Sequence, residues 1–281
     1  LHPVIKLLVQ RTPADFINRQ LQLLLRQMSE DSQLLNAKID VGTLQDVLTP
    51  ISVLVDECKI NLDQNELEIR AVDPANVCMV DVTIQSSGFE EYSAQRSVIG
   101  VDLDRFQDII KMGGSGSEVH LVADKDTQTL QIEVENVSYT LALIDPDSIR
   151  DGPDIPNIDL DAQVEIEGSH ISQGIKAAGM VSDHVELSFE SDSEEFAVGA
   201  EGDTDDVEVA HGEDRVEDIT VPDDAGSIYS LEYLEKVSKA ISSSENIELS
   251  MDSEKPVRME FDFADGNGRV IYMLAPRIQN S

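Results

Sequence analysis

The chain holds 281 residues, 41% hydrophobic and 27% charged, and its 56 Asp and Glu against 20 Lys and Arg leave a formal net charge of -36. That length predicts two domains of ordinary size, and that apolar fraction excludes wholesale disorder. A surface so acidic excludes general attraction to nucleic acid or anionic membrane, and it matches a protein working in molar salt, where the Debye length falls to about 3 Å and like charges are screened.

The acid is spread along the chain and not gathered into a tail, which favours this halophilic reading. No apolar run approaches the roughly 18 residues of a membrane span. Cys58 and Cys78 form no CxxC or paired pattern, so a reducing, cytoplasmic compartment without a disulfide framework is expected.

Residues 1–27 break the pattern, with Lys6, Arg11, Arg19 and Arg26 against Asp15 alone. Thr12-Pro13-Ala14-Asp15 has the form of a helix start, and Ile17, Leu21, Leu24, Leu25 and Met28 follow at helical spacing. The chain opens on Leu1 and its acidic part on Met28, so this stretch reads either as a docking helix or as an extension upstream of the true start.

From Met28 onward the chain repeats. Helical periodicity places apolar residues at Leu44, Val47, Leu48, Ile51 and Val55, then Leu103, Phe106 and Ile110, then Ile171, Ile175 and Ala178, then Leu231, Leu234, Val237 and Ile241. These predict helices over 43–57, 103–112, 170–181 and 231–241, capped by a Thr43–Asp46 box and by Asp102, Ser169 and Ser230. Pro50 falls inside the first and predicts a short or bent helix. Alternating strands follow each helix from Ile60, Val119, Val185 and Ile247, starts that are 59, 66 and 62 residues apart. Each unit adds a return strand after a polar turn (67–71, 129–134, 196–200, 257–261) and a further strand (77–84, 139–143, 206–209, 270–274). The expected fold class is α+β: two similar domains, each with two helices on antiparallel sheets. Between them Leu141–Pro156 loses periodicity, with Pro146, Pro153, Pro156, Gly152 and four aspartates. The expected divisions are an N-terminal extension over 1–33, a first domain over 34–144, a connector over 145–160 and a second domain over 161–281. Ile149 and Ile155 on that connector either pack down on their own domain or help form a partner groove.

Leu143-Ile-Asp-Pro-Asp147, Ala71-Val-Asp-Pro-Ala-Asn-Val-Cys-Met79 and the ending Tyr272-Met-Leu-Ala-Pro-Arg-Ile278 together resemble the archaeal form of proliferating cell nuclear antigen, the DNA sliding clamp family. The likeness runs from about residue 34 to the end. It implies a non-catalytic homotrimeric ring with pseudo-sixfold symmetry, helices lining a central hole around duplex DNA, and sheets outside. It also implies an apolar pocket for short peptides of polymerase, flap nuclease, ligase and clamp loader. The matching pocket positions are Val72, Asn76, Val77 and Met79, then Ile149, Ile155 and Pro156, then Pro256, Met273, Ala275, Pro276 and Ile278. Met273 stands where the family commonly has an aromatic residue. Ring closure is implied for Ser138–Ala142 and Asp206–Val209, with Tyr139 and Leu141 on one strand and Val207 and Val209 on the other.

The helix charges bear on that implication. The four predicted helices carry Arg105, Lys111, Lys176, Lys236 and Lys239 against seven acids, nearly neutral in so acidic a chain. These five cations are the candidate DNA-facing residues, alternatively ordinary solvated helix residues. The first helix carries none, so retention on DNA would rest on enclosure. His170 reads as an incidental surface histidine. No Walker loop, HExxH or GxSxG appears, and no cofactor or metal is expected. Glu201–Asp206 lacks EF-hand spacing and reads as a solvated loop. An acidic peptide-binding scaffold that never encircles DNA and, more remotely, a metal-dependent hydrolase using that loop are the rival functions.

Overall fold

The computed structural model describes residues 32–114, 116–212, 214–242 and 245–277, so the expected N-terminal helix and the pocket residue Ile278 lie outside the described residues. One supersecondary unit is used four times. Unit 1 runs β1 (Gln33–Asp40), α1 (Val41–Ser52), β2 (Glu57–Leu62), β3 (Glu66–Val72) and β4 (Cys78–Gln85), with a short β5 (Glu91–Ala94). Unit 2 runs β6 (Ser97–Asp102), α2 (Leu103–Ile110), β7 (Glu118–Asp124), β8 (Thr129–Val134) and β9 (Val137–Ala142). Unit 3 runs β10 (Ala162–Glu167), α3 (Gly168–Ala178), β11 (His184–Glu190), β12 (Glu195–Glu201) and β13 (Asp206–His211), with a short β14 (Asp218–Thr220). Unit 4 runs β15 (Ala225–Ser230), α4 (Leu231–Ala240), β16 (Asn246–Met251), β17 (Val257–Phe263) and β18 (Gly268–Leu274).

Each helix begins at the residue after a strand, a strand the helical periodicity did not reveal. These leading strands bury alternate residues, as Leu35, Ala37 and Ile39 do in β1 and Ala162, Val164 and Ile166 do in β10. The junctions share one device. The first helical N–H is used up by a carbonyl just ahead of a strand of the neighbouring unit: Val41 to Ser117 (2.8 Å), Leu103 to Asp56 (2.9 Å), Gly168 to Glu245 (2.8 Å) and Leu231 to Asp183 (3.0 Å). One of the four orphan donors of each helix is satisfied by the neighbouring unit, because α1 bonds ahead of β7 and α2 ahead of β2, and likewise α3 ahead of β16 and α4 ahead of β11.

The expected caps need correction. Asp40, not Thr43, caps α1, accepting from the Gly42 and Thr43 N–H groups at 2.7 and 3.2 Å. Asp102 caps α2 as expected, through the Arg105 N–H. Glu167 stands at the cap of α3 in place of Ser169, and neither it nor Ser230 makes a side-chain cap bond. The helices also end earlier than the periodicity suggested, because apolar residues after them, such as Leu54 and Ile241, join the core from turns. Pro50 lies in the last turn of α1, which stops two residues later, so the missing N–H costs one bond near an end already fraying.

The strands form an antiparallel five-stranded sheet β5-β1-β7-β8-β9, a nine-stranded sheet β14-β10-β16-β17-β18-β4-β3-β2-β6, and a four-stranded sheet β13-β12-β11-β15. The helices form a continuous row α2–α1–α4–α3. The long sheet crosses from the first half of the chain to the second at β4 and β18, which pair from Gly268↔Ile84 to Leu274↔Cys78. Two tyrosines lock this seam. Tyr272 on β18, fully buried, donates its hydroxyl to the Pro50 carbonyl of α1 at 2.8 Å. Tyr233 on α4 donates to the Asp73 carboxylate at 2.6 Å.

Asp73 is itself buried and accepts from the N–H groups of Ala75, Val77 and Cys78. Burial opposes its ionisation, but the bonds from Cys78, Tyr233, Ala75 and Val77 outweigh it and hold its pKa below the usual carboxylate value. A depressed folded pKa contributes stability above the unfolded value of about 4 and loses it as pH falls through the folded value. Asp73→Ala therefore lowers stability at pH 7 by about 1–3 kcal/mol, and the loss shrinks toward pH 3, as denaturant melts in molar salt at the two pH values will read. Tyr272→Phe strands the Pro50 carbonyl and costs about 1–2 kcal/mol in the same melts.

Candidate functional site

Three surfaces carry the sequence-predicted residues, and the first lies on the outer face of the seam. Val72 on β3 stands opposite Met79 on β4, Met79 opposite Met273 on β18, and Met273 opposite Arg258 on β17. Residues directly paired across a sheet share a face, so these side chains form one row across four strands. Their chain neighbours Cys78, Leu274 and Val257 point the other way and are all but inaccessible. Asn76 sits exposed on the β3–β4 turn with φ 60, in the left-handed region that asparagine tolerates. Val77, next along, accepts the Ala275 N–H at 2.9 Å, which brings the C-terminal segment beside this turn. Pro256, Ala275 and Pro276 are half-buried.

The connector runs over the outer face of β3. Gly152 lies so close that a Cβ there would sit 2.4 Å from the Arg70 carbonyl, which leaves room for glycine alone. Arg70 holds Asp81 at 2.8 Å and also meets Glu68 and Asp154, while Lys59 holds Asp151. Arg150 donates to the Asn76 side chain and ties connector to turn. Sequence periodicity missed Arg70, Lys59, Asp73 and Arg150, because their partners lie many residues away and no spacing encodes them. Ile149 is 6% exposed and meets Gly100 across the bridge between Gly100 and Ile144. Of the two readings of Ile149, the structure takes the one in which it packs down on its own half. Ile155 is half-buried and Pro156 exposed. Val72 and Ile149 line one open cleft of ≈ 580 Å³ with Arg70 and Arg150, whereas Pro276 lines another of ≈ 390 Å³ with Ile228 and Arg277.

The helix row is the second surface. Arg105 meets Asp102 at 3.3 Å, Lys111 meets Asp108 at 3.8 Å, and Lys236 meets Glu232 at 2.8 Å while lying 5.3 Å above the Tyr233 ring. Lys176 and Lys239 have no ion-pair partner among the described residues. With the observed bounds, Asp56 and Glu57 fall outside α1 and Lys111 stands just past α2, which leaves Asp46, Asp104, Asp108, Glu232 and Glu235 against Arg105, Lys176, Lys236 and Lys239. Burial pushes the Asp46 carboxyl up to about 6, and repulsion from Glu245 and Asp40 adds to it. The row is electrostatically balanced and offers phosphate no strong net attraction.

The third surface consists of two free sheet edges. β9 ends the five-stranded sheet and β13 ends the four-stranded one. Tyr139 is 41% exposed and Leu141 buried on β9, while Val207 and Val209 are half-buried on β13. The acidic run Glu201–Asp206 is the turn between β12 and β13, closed by the Gly202 N–H on the Asp205 carbonyl at 2.9 Å. No group of three or more His, Cys, Asp or Glu among the described residues is arranged to hold a metal ion. No described helix is long and apolar enough to cross a membrane.

Residues 34–148 match the N-terminal domain of proliferating cell nuclear antigen and residues 154–277 its C-terminal domain. The chain is 50% identical over 244 residues to a protein of Natronomonas pharaonis named DNA polymerase sliding clamp, covering 87% of this chain and 98% of that one. It is 51% identical over 245 residues to the protein of that name from Haloarcula marismortui, covering 87% and 99%. Among solved structures, A. fulgidus PCNA bound to the C-terminal region of FEN-1 superposes with a TM-score of 0.82 at 33% identity, covering 88% of this chain and 100% of that one. The chain belongs to the proliferating cell nuclear antigen family of DNA sliding clamps.

Proposed function

We propose that this protein is a DNA sliding clamp: three copies close head to tail around duplex DNA, confer processivity on a DNA polymerase, and recruit replication and repair enzymes through short peptides. The observation that carries this reading is the equivalence of the seam and the free edges. β4 and β18 are the closing strands of the meanders in units 1 and 4, and they pair with each other. β9 and β13 hold the same place in units 2 and 3, and neither has an outer partner strand among the described residues. Pairing β9 of one copy with β13 of the next repeats the internal seam between chains, with Tyr139, Leu141, Val207 and Val209 at the contact. Such a contact is heterologous, so it must close into a ring or grow into a filament. Met112 and Met180, 59% and 85% exposed, stand just past α2 and α3 of the same two units. Two domains per chain, residues 34–144 and 161–281 joined by the connector 145–160, give six domains in a trimer.

Arg105, Lys111, Lys176, Lys236 and Lys239 then face the DNA from a nearly neutral wall, and topological enclosure supplies the retention that charge does not. The peptide pocket lies at the outer seam, around Val72, Asn76, Val77, Met79 and Met273, with Pro256, Ala275, Pro276 and Ile278 from the C-terminal side and Ile155 and Pro156 from the connector. Ile149 serves there as a buried support. The complex of A. fulgidus PCNA with the C-terminal region of FEN-1 supports a flap nuclease as one partner. Polymerase, ligase and an ATP-driven clamp loader are the others. The clamp itself is non-catalytic and works in the cytoplasm; three pockets on one ring raise the local concentration of linked partners.

Light scattering on the chain in molar potassium chloride is expected to give the mass of a trimer, with dissociation in dilute buffer as the acidic surface loses its screening. A single-chain mass at every salt and protein concentration would sink the clamp and favour the acidic scaffold. Pro276→Asp is expected to weaken binding of a partner peptide by tenfold or more, read by titration calorimetry, while the trimer mass stays unchanged.

A further inference from the structure

His211 closes β13, and His170 stands in the first turn of α3, which packs on β12 and β13. His170 is therefore not an incidental surface residue: the two imidazoles stack with centroids 5.1 Å apart and planes at 25°. His211 is 1% exposed. Neither of its ring nitrogens has a hydrogen-bond partner among the described residues, and neither has Nδ1 of His170. The helix cannot shift easily to supply one, because Gly174 of α3 lies so near β12 that a Cβ would fall 2.6 Å from Val198. A shared metal ion fits poorly, since imidazole lone pairs lie in the ring plane and near-parallel stacked rings aim them side by side. A proton on His211 puts a cation in an enclosed space where neither ring nitrogen has an acceptor among the described residues.

We propose that the His170–His211 stack is an acid-sensitive latch, which holds the β13 edge against α3 while His211 is neutral and frees that edge when His211 is protonated. Its effect on assembly rests on β13 being the edge that pairs between copies; its effect on stability does not. Burial lowers the His211 pKa first, and repulsion from His170 and from Arg215, on the turn after β13, lowers it further. α3 also carries the exposed Lys176, and Phe196, opposite His211 on β12, is neutral. The Glu195 and Asp214 carboxylates both lie near Gly212, the residue after His211. A histidine with a depressed folded pKa leaves stability intact above the unfolded value of about 6.5, and stability falls as pH drops below it. Protonation of the many surface carboxylates relieves repulsion in the opposite sense, so the difference between proteins is the quantity to read.

Wild-type protein and His211→Phe, with His170→Phe as a second variant should the first fail to fold, are compared in molar potassium chloride from pH 8 to 5.5. The readouts are denaturant melts, mass by light scattering, and proton NMR of the wild-type imidazoles. Below pH 6.5 the wild-type folding constant is expected to fall up to about tenfold per pH unit relative to the variant. Its mass drops toward that of a single chain while the variant keeps its own, and the His211 imidazole titrates below 6.5. Equal acid losses in wild type and variants, or imidazoles that all titrate near 6.5, overturn the latch. A wild type already single at pH 8 overturns the ring instead and leaves the latch to be decided by the melts and the NMR.

Discussion

The pairing of β4 with β18 is the constraint on which the rest of the structure depends. It joins a strand formed early in the chain to the last described strand, and so converts two separate halves into one nine-stranded sheet. Closing so long a loop carries a large entropic cost, which a seven-pair ladder, the buried Tyr272 hydroxyl and the Tyr233–Asp73 bond together offset. The same seam builds the outer row of Val72, Met79 and Met273, since strands that meet there bring residues from distant parts of the chain onto one face. Core, domain joint and candidate pocket are thus consequences of one antiparallel contact.

The four units are alike in a more specific way than their spacing suggests. Within each half, every helix gives its first N–H to a carbonyl ahead of the other unit's strand, so neither unit could finish its helix start alone. This exchange makes each half a single cooperative body, and it leaves β9 and β13 as the equivalent but unsatisfied ends. Exposed edges invite association, and the proposed ring would cover both of them. The edges also differ from the rest of this acidic surface in offering Tyr139, Val207 and Val209.

The electrostatics follow a division of labour. A net charge of -36 keeps the outer surface hydrated, while the helix row balances its cations against carboxylates on the same helices. Ion pairs such as Lys59–Asp151 and Arg70–Asp154, whose carboxylates are almost fully exposed, are weak individually and weaker still in salt. What holds the connector on β3 is the close contact at Gly152 and the burial of Ile149, neither of which salt screens.

By itself the sequence determined the fourfold repeat, the α+β class, four helices and their return strands, and the resemblance carried by Ala71–Met79 and Tyr272–Ile278. These are local quantities: periodicity, turn residues and short motifs record which face of an element is buried. The leading strands ahead of each helix leave no separate signal, because three or four alternating residues look like the prelude to a helical pattern. The start of α1 differs from its sequence expectation because a strand residue, Asp40, does the capping. Only the tertiary structure decided which unit lends a carbonyl to which helix, that Ile149 is buried, that Asp73 anchors the seam, and that His170 meets His211. Each of these pairs residues far apart in the chain, and their meeting is set by strand register and helix docking, which no local spacing encodes.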